Sequence, residues 1–153
     1  GRNLMAELPD WIADHIQLYL TDPEKAHYWD SALGGSSGMV ATLLLTTAGR
    51  KSGEPRMLPL IYKRVGDAFV VIASKGGAPS HPAWYLNLLD SPDADVRVGA
   101  QRYRVRARTA AGEERDGLWQ QLAEIYPPYD DYQISAGPRQ IPVVVLDIVE
   151  SHR

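Results

Sequence analysis

The chain has 153 residues, of which 44% are hydrophobic and none is cysteine, and its net charge is −3. This length suits one domain that buries a core without a metal or disulfide, and the missing thiols exclude disulfides, thiolate metal sites and cysteine nucleophiles. No apolar run approaches the roughly 18 residues of a membrane-spanning helix.

The positive charge is concentrated in the middle of the chain. Residues 50–108 contain 11 of the 16 Lys and Arg residues but only five of the 19 acids, a net charge of +6. A basic segment in an acidic protein indicates a local anionic ligand. Nucleic acid is a weaker interpretation, because the whole chain is acidic and has no nucleic-acid-binding motif. Strand faces that carry solvated arginine are the alternative explanation.

Residues 9–31 are predicted to form two short helices. The first presents an apolar stripe of Trp11, Ile12, Ile16, Tyr19 and Leu20. Thr21 opens a Ser/Thr-x-x-Glu spacing, which predicts a capping box at the start of a second helix that runs to Asp30. Glycine and serine at residues 33–38 then predict a flexible loop.

Six strands are predicted in the remainder of the chain. They cover residues 40–47, 57–64, 68–73, 94–98, 101–109 and 141–149. Gly66-Asp67 and Gly99-Ala100 predict tight hairpins. In the fifth strand four arginines alternate with smaller or apolar residues, so one face is predicted to be solvated or paired with acids. Helices predicted at residues 81–89 and 113–125 lie between strands, and this order favours a small α+β barrel.

Common catalytic motifs are missing from the sequence. It contains no dinucleotide-binding G-x-G-x-x-G, no P-loop and no G-x-S-x-G, and its four histidines lack metal-ligand spacing. No nucleophile is paired with a base. If the protein is an enzyme, a bound cofactor is therefore expected to supply the reactive group, and no metal is expected.

Two glycine-containing turns are candidates for anion binding. Arg50 and Lys51 lie in the turn at residues 49–53, and Arg56 follows at the start of the next strand. Residues 74–77 (SKGG) form a second turn directly after a strand, where a hydroxyl, a cation and two glycines allow close backbone approach to a ligand. Each turn alone could be an ordinary solvated loop, but the two together favour a phosphate or similar anion.

Aromatic residues provide the remaining candidates. Tyr126, Tyr129 and Tyr132 are spaced by three, which places them on one side of a helical turn, where phenols could cover a flat ring and donate a proton. Surface aromatics that close over the core are an equally supported interpretation. Trp84 shares a helical face with core-type residues, and Asn87 is predicted either to cap the backbone or to support a ligand pocket.

These segments together resemble the deazaflavin-dependent nitroreductase family, a branch of the split-barrel flavin-binding superfamily that uses coenzyme F420. The resemblance covers about residues 35–147. It runs through residues 44–53 (LLTTAGRKSG), Arg56, Pro59-Leu60, residues 73–77 (ASKGG), 82–88 (PAWYLNL), 126–133 (YPPYDDYQ) and 141–144 (IPVV). It implies a six-stranded antiparallel split β-barrel with flanking helices, often a homodimer, and a cofactor with a polyanionic phosphate and oligoglutamate tail.

The resemblance also implies roles for individual residues. The cofactor-binding set it implies is Thr47, Arg50, Lys51, Arg56, Pro59, Ser74, Lys75, Gly76, Gly77, Trp84 and Asn87. In this set Arg50, Lys51 and Arg56 would hold the phosphate and tail, and Ser74 would lie near the reacting ring. Tyr126, Tyr129 and Tyr132 would line the substrate side, and a tyrosine, Ser74 or water would deliver a proton.

The activity implied is hydride transfer from reduced F420 to a quinone, a nitroaromatic or an α,β-unsaturated carbonyl. Two alternatives remain open: an FMN-dependent oxidoreductase on the same barrel, and a non-catalytic deazaflavin carrier. One domain is expected over residues 1–153, with Met5 as the natural start and residues 1–4 as a remnant. A cytoplasmic location is expected, with peripheral contact to the inner face of the membrane left open.

Overall fold

The structure, a computed structural model, describes residues 10–152; the expectation about residues 1–4 and Met5 lies outside this range. Within this range the five α-helices are α1 (Asp10–Thr21), α2 (Pro23–Ala26), α3 (Ala83–Asp90), α4 (Gly112–Ile125) and α5 (Pro128–Ser135). The eight strands of the described residues are β1 (Tyr28–Asp30), β2 (Met39–Ala48), β3 (Pro55–Ile61), β4 (Lys63–Val65), β5 (Ala68–Ile72), β6 (Asp93–Val98), β7 (Gln101–Thr109) and β8 (Val143–His152).

The strands form one antiparallel sheet in the order β1-β2-β6-β7-β8-β5-β4, with β3 paired to β2. β3 and β4 are separated only by Tyr62, yet β3 pairs with β2 and β4 pairs with β5. Residues 55–65 therefore connect the two sides of the sheet, which curls into a half-barrel. The predicted α+β class is confirmed, but the predicted count of six strands is wrong, because the strand expected at residues 57–64 divides at Tyr62 and β1 was not anticipated.

The second predicted helix also needs correction. It ends at Ala26 rather than near Asp30, because the carbonyl of His27 accepts a hydrogen bond from the N–H of Thr42 at 2.6 Å and the following residues pair with β2. Its N-cap is Asp22, whose side chain accepts from the N–H of Lys25 at 3.3 Å. The Thr21 capping box is wrong, since the Thr21 hydroxyl donates to the carbonyl of Gln17 within α1.

Side chains on the two faces of the sheet form separate cores. Phe69 and Val71 of β5 point into the half-barrel, whereas Val70 and Ile72 pack beneath α4 and α5 on the outer face. α1 covers the outer face of β2, where Ile16 and Tyr19 bury Leu44. The apolar stripe of α1 is therefore only partly buried, since Trp11 and Leu20 remain about half exposed. The helices leave part of β3 uncovered between α1 and α5.

Several local predictions are confirmed. Antiparallel hairpins form at Gly66-Asp67 and Gly99-Ala100. The arginine face of β7 is exposed and paired with acids: Arg104 contacts Asp95 at 3.0 Å, and Arg108 contacts Glu114 at 2.7 Å and Asp147 at 3.1 Å.

Two further features concern the N-terminal part and the helices. The loop expected at residues 33–38 begins within a 3-10 turn (Ser31–Gly34), and its flexibility stays a prediction. No helix within residues 10–152 has the length and apolar character to span a membrane.

Candidate functional site

A cavity of about 450 Å³ lies on the outer side of the sheet, over β3. Its walls come from α1, β1 and the 3-10 turn that follows it, β3, the loop after β5, the start of α3, and the segment that contains the tyrosines. Among the residues predicted for the site, those that line it are Pro59, Ser74, Lys75, Gly76, Trp84, Tyr126, Tyr129 and Tyr132. The volume falls within the range of small-molecule pockets.

The loop after β5 presents its backbone N–H groups as a potential anion site. Ser74 has right-handed helical φ and ψ, and Lys75 and Gly76 follow with φ of 49° and 61°. A right-handed residue followed by a left-handed one directs successive N–H groups toward one point, which forms an anion-binding nest. Within residues 10–152 the N–H groups of these three residues donate to no backbone carbonyl, whereas the N–H of Gly77 donates to the carbonyl of Ser74 at 3.0 Å.

The two glycines of this loop serve different purposes. A Cβ on Gly76 would meet no atom within 4 Å, so its backbone is open toward the cavity. A Cβ on Gly77 would lie 2.8 Å from the carbonyl oxygen of Tyr132 and 2.9 Å from its Cα. Gly77 is therefore the close contact between this loop and α5, and it does not line the cavity.

The three tyrosines are brought together but are not equivalent. The Tyr126 hydroxyl donates to the carbonyl of Gly34 at 2.9 Å and lies 3.0 Å from the Tyr132 hydroxyl. Because the Tyr126 hydroxyl donates its one proton to the Gly34 carbonyl, the Tyr132 hydroxyl is the donor in the hydrogen bond between the two tyrosines. The Tyr129 hydroxyl has no hydrogen-bond partner within residues 10–152, and Tyr129 is buried against the other two rings. Tyr129 is thus the tyrosine with a hydroxyl available to a ligand.

Burial keeps two of these phenols protonated. Desolvation, followed by the neighbouring tyrosines, raises the pKa of Tyr129 well above its ordinary value. Desolvation and the hydrogen bond to Tyr132 likewise raise the pKa of Tyr126. Both groups are therefore neutral hydrogen-bond donors near neutral pH, and neither can act as a phenolate base.

The turn between β2 and β3 is braced against α3 rather than placed in the cavity. The side-chain oxygen of Asn87 accepts from the backbone N–H of Arg50 at 3.2 Å and from its guanidinium at 3.1 Å, and the Asn87 amide donates to the Thr47 hydroxyl at 3.1 Å. Trp84, three residues earlier on α3, lines the cavity. Residues three apart on a helix are neighbours, so this turn lies about one helical turn from the cavity wall.

The other two cations of this turn differ in their surroundings. Arg56 contacts Glu54 at 3.4 Å and the hydroxyl of Ser52 at 3.3 Å. Lys51 is exposed, and its ammonium group has no partner among residues 10–152. The roles predicted for Arg50, Lys51 and Arg56 on an anionic tail stay predictions.

Sequence reasoning missed several residues at the site. Trp11, His15 and Trp29 line the cavity from the N-terminal segment, and the Trp11 and Trp29 rings stack at 5.7 Å. Their aromatic side chains are visible in the sequence, but the strand they face, β3, is distant in sequence, so no local pattern links them to the cavity.

Arg139 was also missed: its guanidinium donates to three backbone carbonyls of residues 73–78 and to the ring of His81. A single arginine in a glycine- and proline-containing loop gives no sequence signal for this role.

His81 makes the stability of this region dependent on pH. Its Nδ1 accepts from Arg139 at 3.1 Å, and desolvation and the Arg139 charge lower the pKa of His81 from 6.5. At pH values between the lowered pKa of the folded state and 6.5, the unfolded chain binds more protons than the folded one. The contribution of His81 to the free energy of unfolding is therefore fully present above pH 6.5 and is lost as the pH falls below it. We expect thermal unfolding midpoints to decrease from pH 7 to pH 5.5, and to decrease less in His81→Gln. An equal decrease in both proteins would contradict this assignment.

Fold and cavity together define an α+β protein with a curled antiparallel sheet and an aromatic-lined pocket on its outer side. The same fold occurs in the heme storage protein HutZ of Vibrio cholerae, with a TM-score of 0.55 and 14% identity over 71% of this chain and 82% of that one. The chain belongs to the F420H(2)-dependent quinone reductase family, whose model matches residues 24–147. This confirms the resemblance to F420-dependent enzymes that the sequence motifs indicated.

Individual relatives agree with the family assignment. The chain is 36% identical to the F420H(2)-dependent quinone reductase Rv1261c of Mycobacterium tuberculosis, over 92% of this chain and 97% of the relative. It is 39% identical to the solved F420-H2 dependent reductase FDR-A, with a TM-score of 0.64 over 69% of this chain and 93% of that one. A solved structure described as a domain-swapped dimer is 33% identical to this chain, over 90% of this chain and 98% of that one, with a TM-score of 0.67.

Proposed function

We propose that this protein is an F420H2-dependent quinone reductase. The reaction transfers a hydride to an electron-poor acceptor: a quinone, a nitroaromatic or an α,β-unsaturated carbonyl. The observation that carries the proposal is the cavity, in which the backbone nest at residues 74–76 and three tyrosines meet in a chain of this family. Bound reduced F420 would supply the hydride, that is, one proton and two electrons.

The residues present fit such a cofactor. The nest and the Lys75 ammonium suit an electron-rich carbonyl or phosphate oxygen, because N–H donors and positive charge stabilise it. Pro59 and Trp84 offer apolar surface to a flat ring. The exposed Lys51, about one helical turn beyond the cavity wall, suits an anionic tail that extends out of the pocket. The remaining aromatic walls leave room for the acceptor ring.

Tyr129 is the group we assign to the acceptor oxygen. A quinone that receives a hydride gains negative charge on one oxygen, and that oxygen must take up one proton to give the hydroquinone. A buried, neutral hydroxyl without another partner can hydrogen-bond this oxygen as its charge develops. Tyr126 and Tyr132 hold each other and Gly34, so they shape the wall rather than serve the acceptor directly.

Two measurements test the proposed function. Purified protein is titrated with F420 and, separately, with FMN, and ligand fluorescence reports binding. Reduced F420 is then mixed with menadione, and its oxidation is followed against a protein-free control. We expect tight F420 binding and turnover. Preferential FMN binding would support the FMN-dependent alternative, and F420 binding without turnover across several acceptor classes would support the carrier.

Removing the Lys51 charge should weaken F420 binding about 10- to 100-fold, because a charge-assisted contact to the anionic tail is worth about 1.5–3 kcal/mol. Wild-type affinity should also fall as salt rises, and Lys51→Ala should show a smaller salt dependence. The exposed lysine of α2 provides a matched control, and Lys25→Ala should bind like wild type. Equal affinity of wild type and Lys51→Ala at low salt would place the tail elsewhere.

The proposal extends to assembly and location. A homodimer is supported by the relative described as a domain-swapped dimer, and light scattering of the purified protein measures its mass. Peripheral contact with a membrane is supported by the half-exposed Trp11 and Leu20 of α1 and by exposed Leu33. Co-sedimentation with vesicles of neutral or anionic lipid tests this contact. A monomeric mass in light scattering would contradict the homodimer, and protein that stays in the supernatant with both kinds of vesicle would contradict the membrane contact.

A further inference from the structure

We propose that Arg139 is a positioning residue, which holds residues 74–77 in the conformation that forms the backbone nest and places Ser74, Lys75 and Gly76 on the cavity wall. The inference rests on the proposed function for its consequence, the binding of F420. Its structural part, the arrangement of the loop by Arg139, depends only on the contacts of the protein with itself.

The guanidinium group of Arg139 bonds both ends of the loop. Nε donates to the carbonyl of Ala78 at 2.9 Å, Nη1 to the carbonyl of Ala73 at 3.1 Å, and Nη2 to the carbonyl of Ser74 at 2.7 Å. Nη1 also lies 3.1 Å from Nδ1 of His81. A planar fork of N–H donors can make these bonds at once, whereas a lysine ammonium is a single point of charge. The loop is therefore closed around one side chain.

These contacts also orient the nest. In a trans peptide the carbonyl and the following N–H point in opposite directions. Because the carbonyls of Ala73 and Ser74 point to Arg139, the N–H groups of Ser74 and Lys75 point away from it. Arg139 thus stands behind the loop and does not line the cavity, which separates its role from that of a ligand contact.

The loop conformation needs such support. Lys75 is the one non-glycine residue with positive φ within the described range, and Gly76 and Gly77 continue with positive φ. Consecutive left-handed residues, one of which carries a side chain, are unfavourable and persist only when surrounding contacts impose them. Within the loop, the N–H of Gly77 donates to the carbonyl of Ser74 at 3.0 Å and the Lys75 ammonium to the Ser80 hydroxyl at 3.2 Å. From outside the loop, the Arg139 fork adds three bonds to its carbonyls, and Gly77 against Tyr132 is the packing contact.

Arg139 is itself fixed to the helix that carries two of the tyrosines. The Gln133 side chain of α5 donates to the carbonyl of Arg139 at 2.8 Å and accepts from the N–H of Ile141 at 2.9 Å. No carboxylate lies within ion-pair distance of Arg139 in the described part of the chain, and desolvation lowers the pKa of Arg139. The side chain is therefore held by carbonyls, and it joins the two walls of the cavity.

The test compares Arg139→Met and Arg139→Lys with a matched control, Arg115→Met. Arg115 is also partly buried and also donates to a backbone carbonyl, that of Ile141 at 2.8 Å, but it does not touch residues 73–78. The first readout uses the protein without cofactor: the rate of tryptic cleavage after Lys75. We expect this rate to rise at least about tenfold in both Arg139 variants and to stay near wild type in Arg115→Met.

The second readout is F420 affinity from fluorescence titration. We expect the Kd to rise at least about tenfold in both Arg139 variants, since about 1.4 kcal/mol corresponds to a factor of ten. In Arg139→Ala, millimolar guanidinium should restore part of the affinity and slow cleavage after Lys75, while sodium chloride at the same concentration should not. Rescue distinguishes a missing fork from general loss of structure, and it remains informative if Arg139→Met folds poorly.

Unchanged cleavage after Lys75 in both Arg139 variants would overturn the proposal, as would cleavage that rises equally in Arg115→Met. Faster cleavage with unchanged F420 affinity would overturn its consequence for the cofactor. Failure of wild-type protein to bind F420 would instead refute the proposed function, and the cleavage and guanidinium results would then decide the loop-holding role alone.

Discussion

Replacing Tyr129 by phenylalanine should lower the turnover number about 100-fold and leave the Kd for F420 within about threefold of wild type, because loss of one donor to a developing oxyanion costs about 2.7–4 kcal/mol. The Tyr129 ring is buried among Tyr126 and Tyr132, and its hydroxyl has no partner within the described residues. Phenylalanine keeps the ring and its packing, so the substitution removes only the hydrogen bond that we propose for the acceptor oxygen. Single-turnover oxidation of bound reduced F420 by menadione measures the effect.

Tyr132→Phe is the matched control. It removes a hydroxyl from the same cluster, but this hydroxyl contacts Tyr126 at 3.0 Å rather than a ligand. We expect its turnover to stay within about tenfold of wild type, since it loses one neutral hydrogen bond. If Tyr132→Phe is slowed as much as Tyr129→Phe, the cluster acts as a unit and the specific assignment to Tyr129 is wrong.

Gly77→Ala should destabilise the protein by about 2–5 kcal/mol, the combined cost of a left-handed alanine and an overpacked contact. Its φ is 83°, and a Cβ would lie 2.8 Å from the Tyr132 carbonyl oxygen and 2.9 Å from the Cβ of Ser135. The obstructing atoms belong largely to the backbone of α5, which cannot rotate away. Thermal unfolding should show a midpoint lower by roughly 5–15 °C.

The neighbouring glycine separates the two causes of this loss. Gly76 also has positive φ, 61°, but its Cβ would meet open space. Gly76→Ala should therefore cost only the backbone term, about 1–2 kcal/mol. Because Gly76 lines the cavity, its added methyl group is also expected to weaken F420 binding. Equal losses of stability in the two variants would mean that α5 yields to the new side chain.

The local features of the fold were accessible from sequence. Hairpins at Gly66-Asp67 and Gly99-Ala100 depend on residues next to each other, and the arginine face of β7 depends on alternation within one strand. The strand at Tyr28–Asp30 was not accessible, because three residues carry no periodic signal and their extended form depends on pairing with β2. The division of the expected strand at Tyr62 likewise follows from pairing with two different partners.

Local net charge was a weaker guide to the site. The +6 of residues 50–108 suggested one anion site, yet Arg108 is neutralised by Glu114 and Asp147, which lie outside that segment. Of the cations in the segment, Lys75 lines the cavity. Charge counted along a chain omits acids that tertiary contacts bring to the same surface, so it could not say which cations remain available to a ligand.

By itself, the sequence determined the family, the α+β class and eight of the residues that line the cavity, because family motifs and short-range periodicity are properties of contiguous residues. The tertiary structure decided which of these residues have free donors. The Tyr126 hydroxyl donates to the carbonyl of Gly34, and the Asn87 side chain accepts from Arg50 and donates to Thr47. Arg139 lies behind the loop and donates to its carbonyls, including that of Ser74. Each hydrogen-bonding partner lies at least 37 residues away in the chain, and donors are satisfied by neighbours in space rather than in sequence.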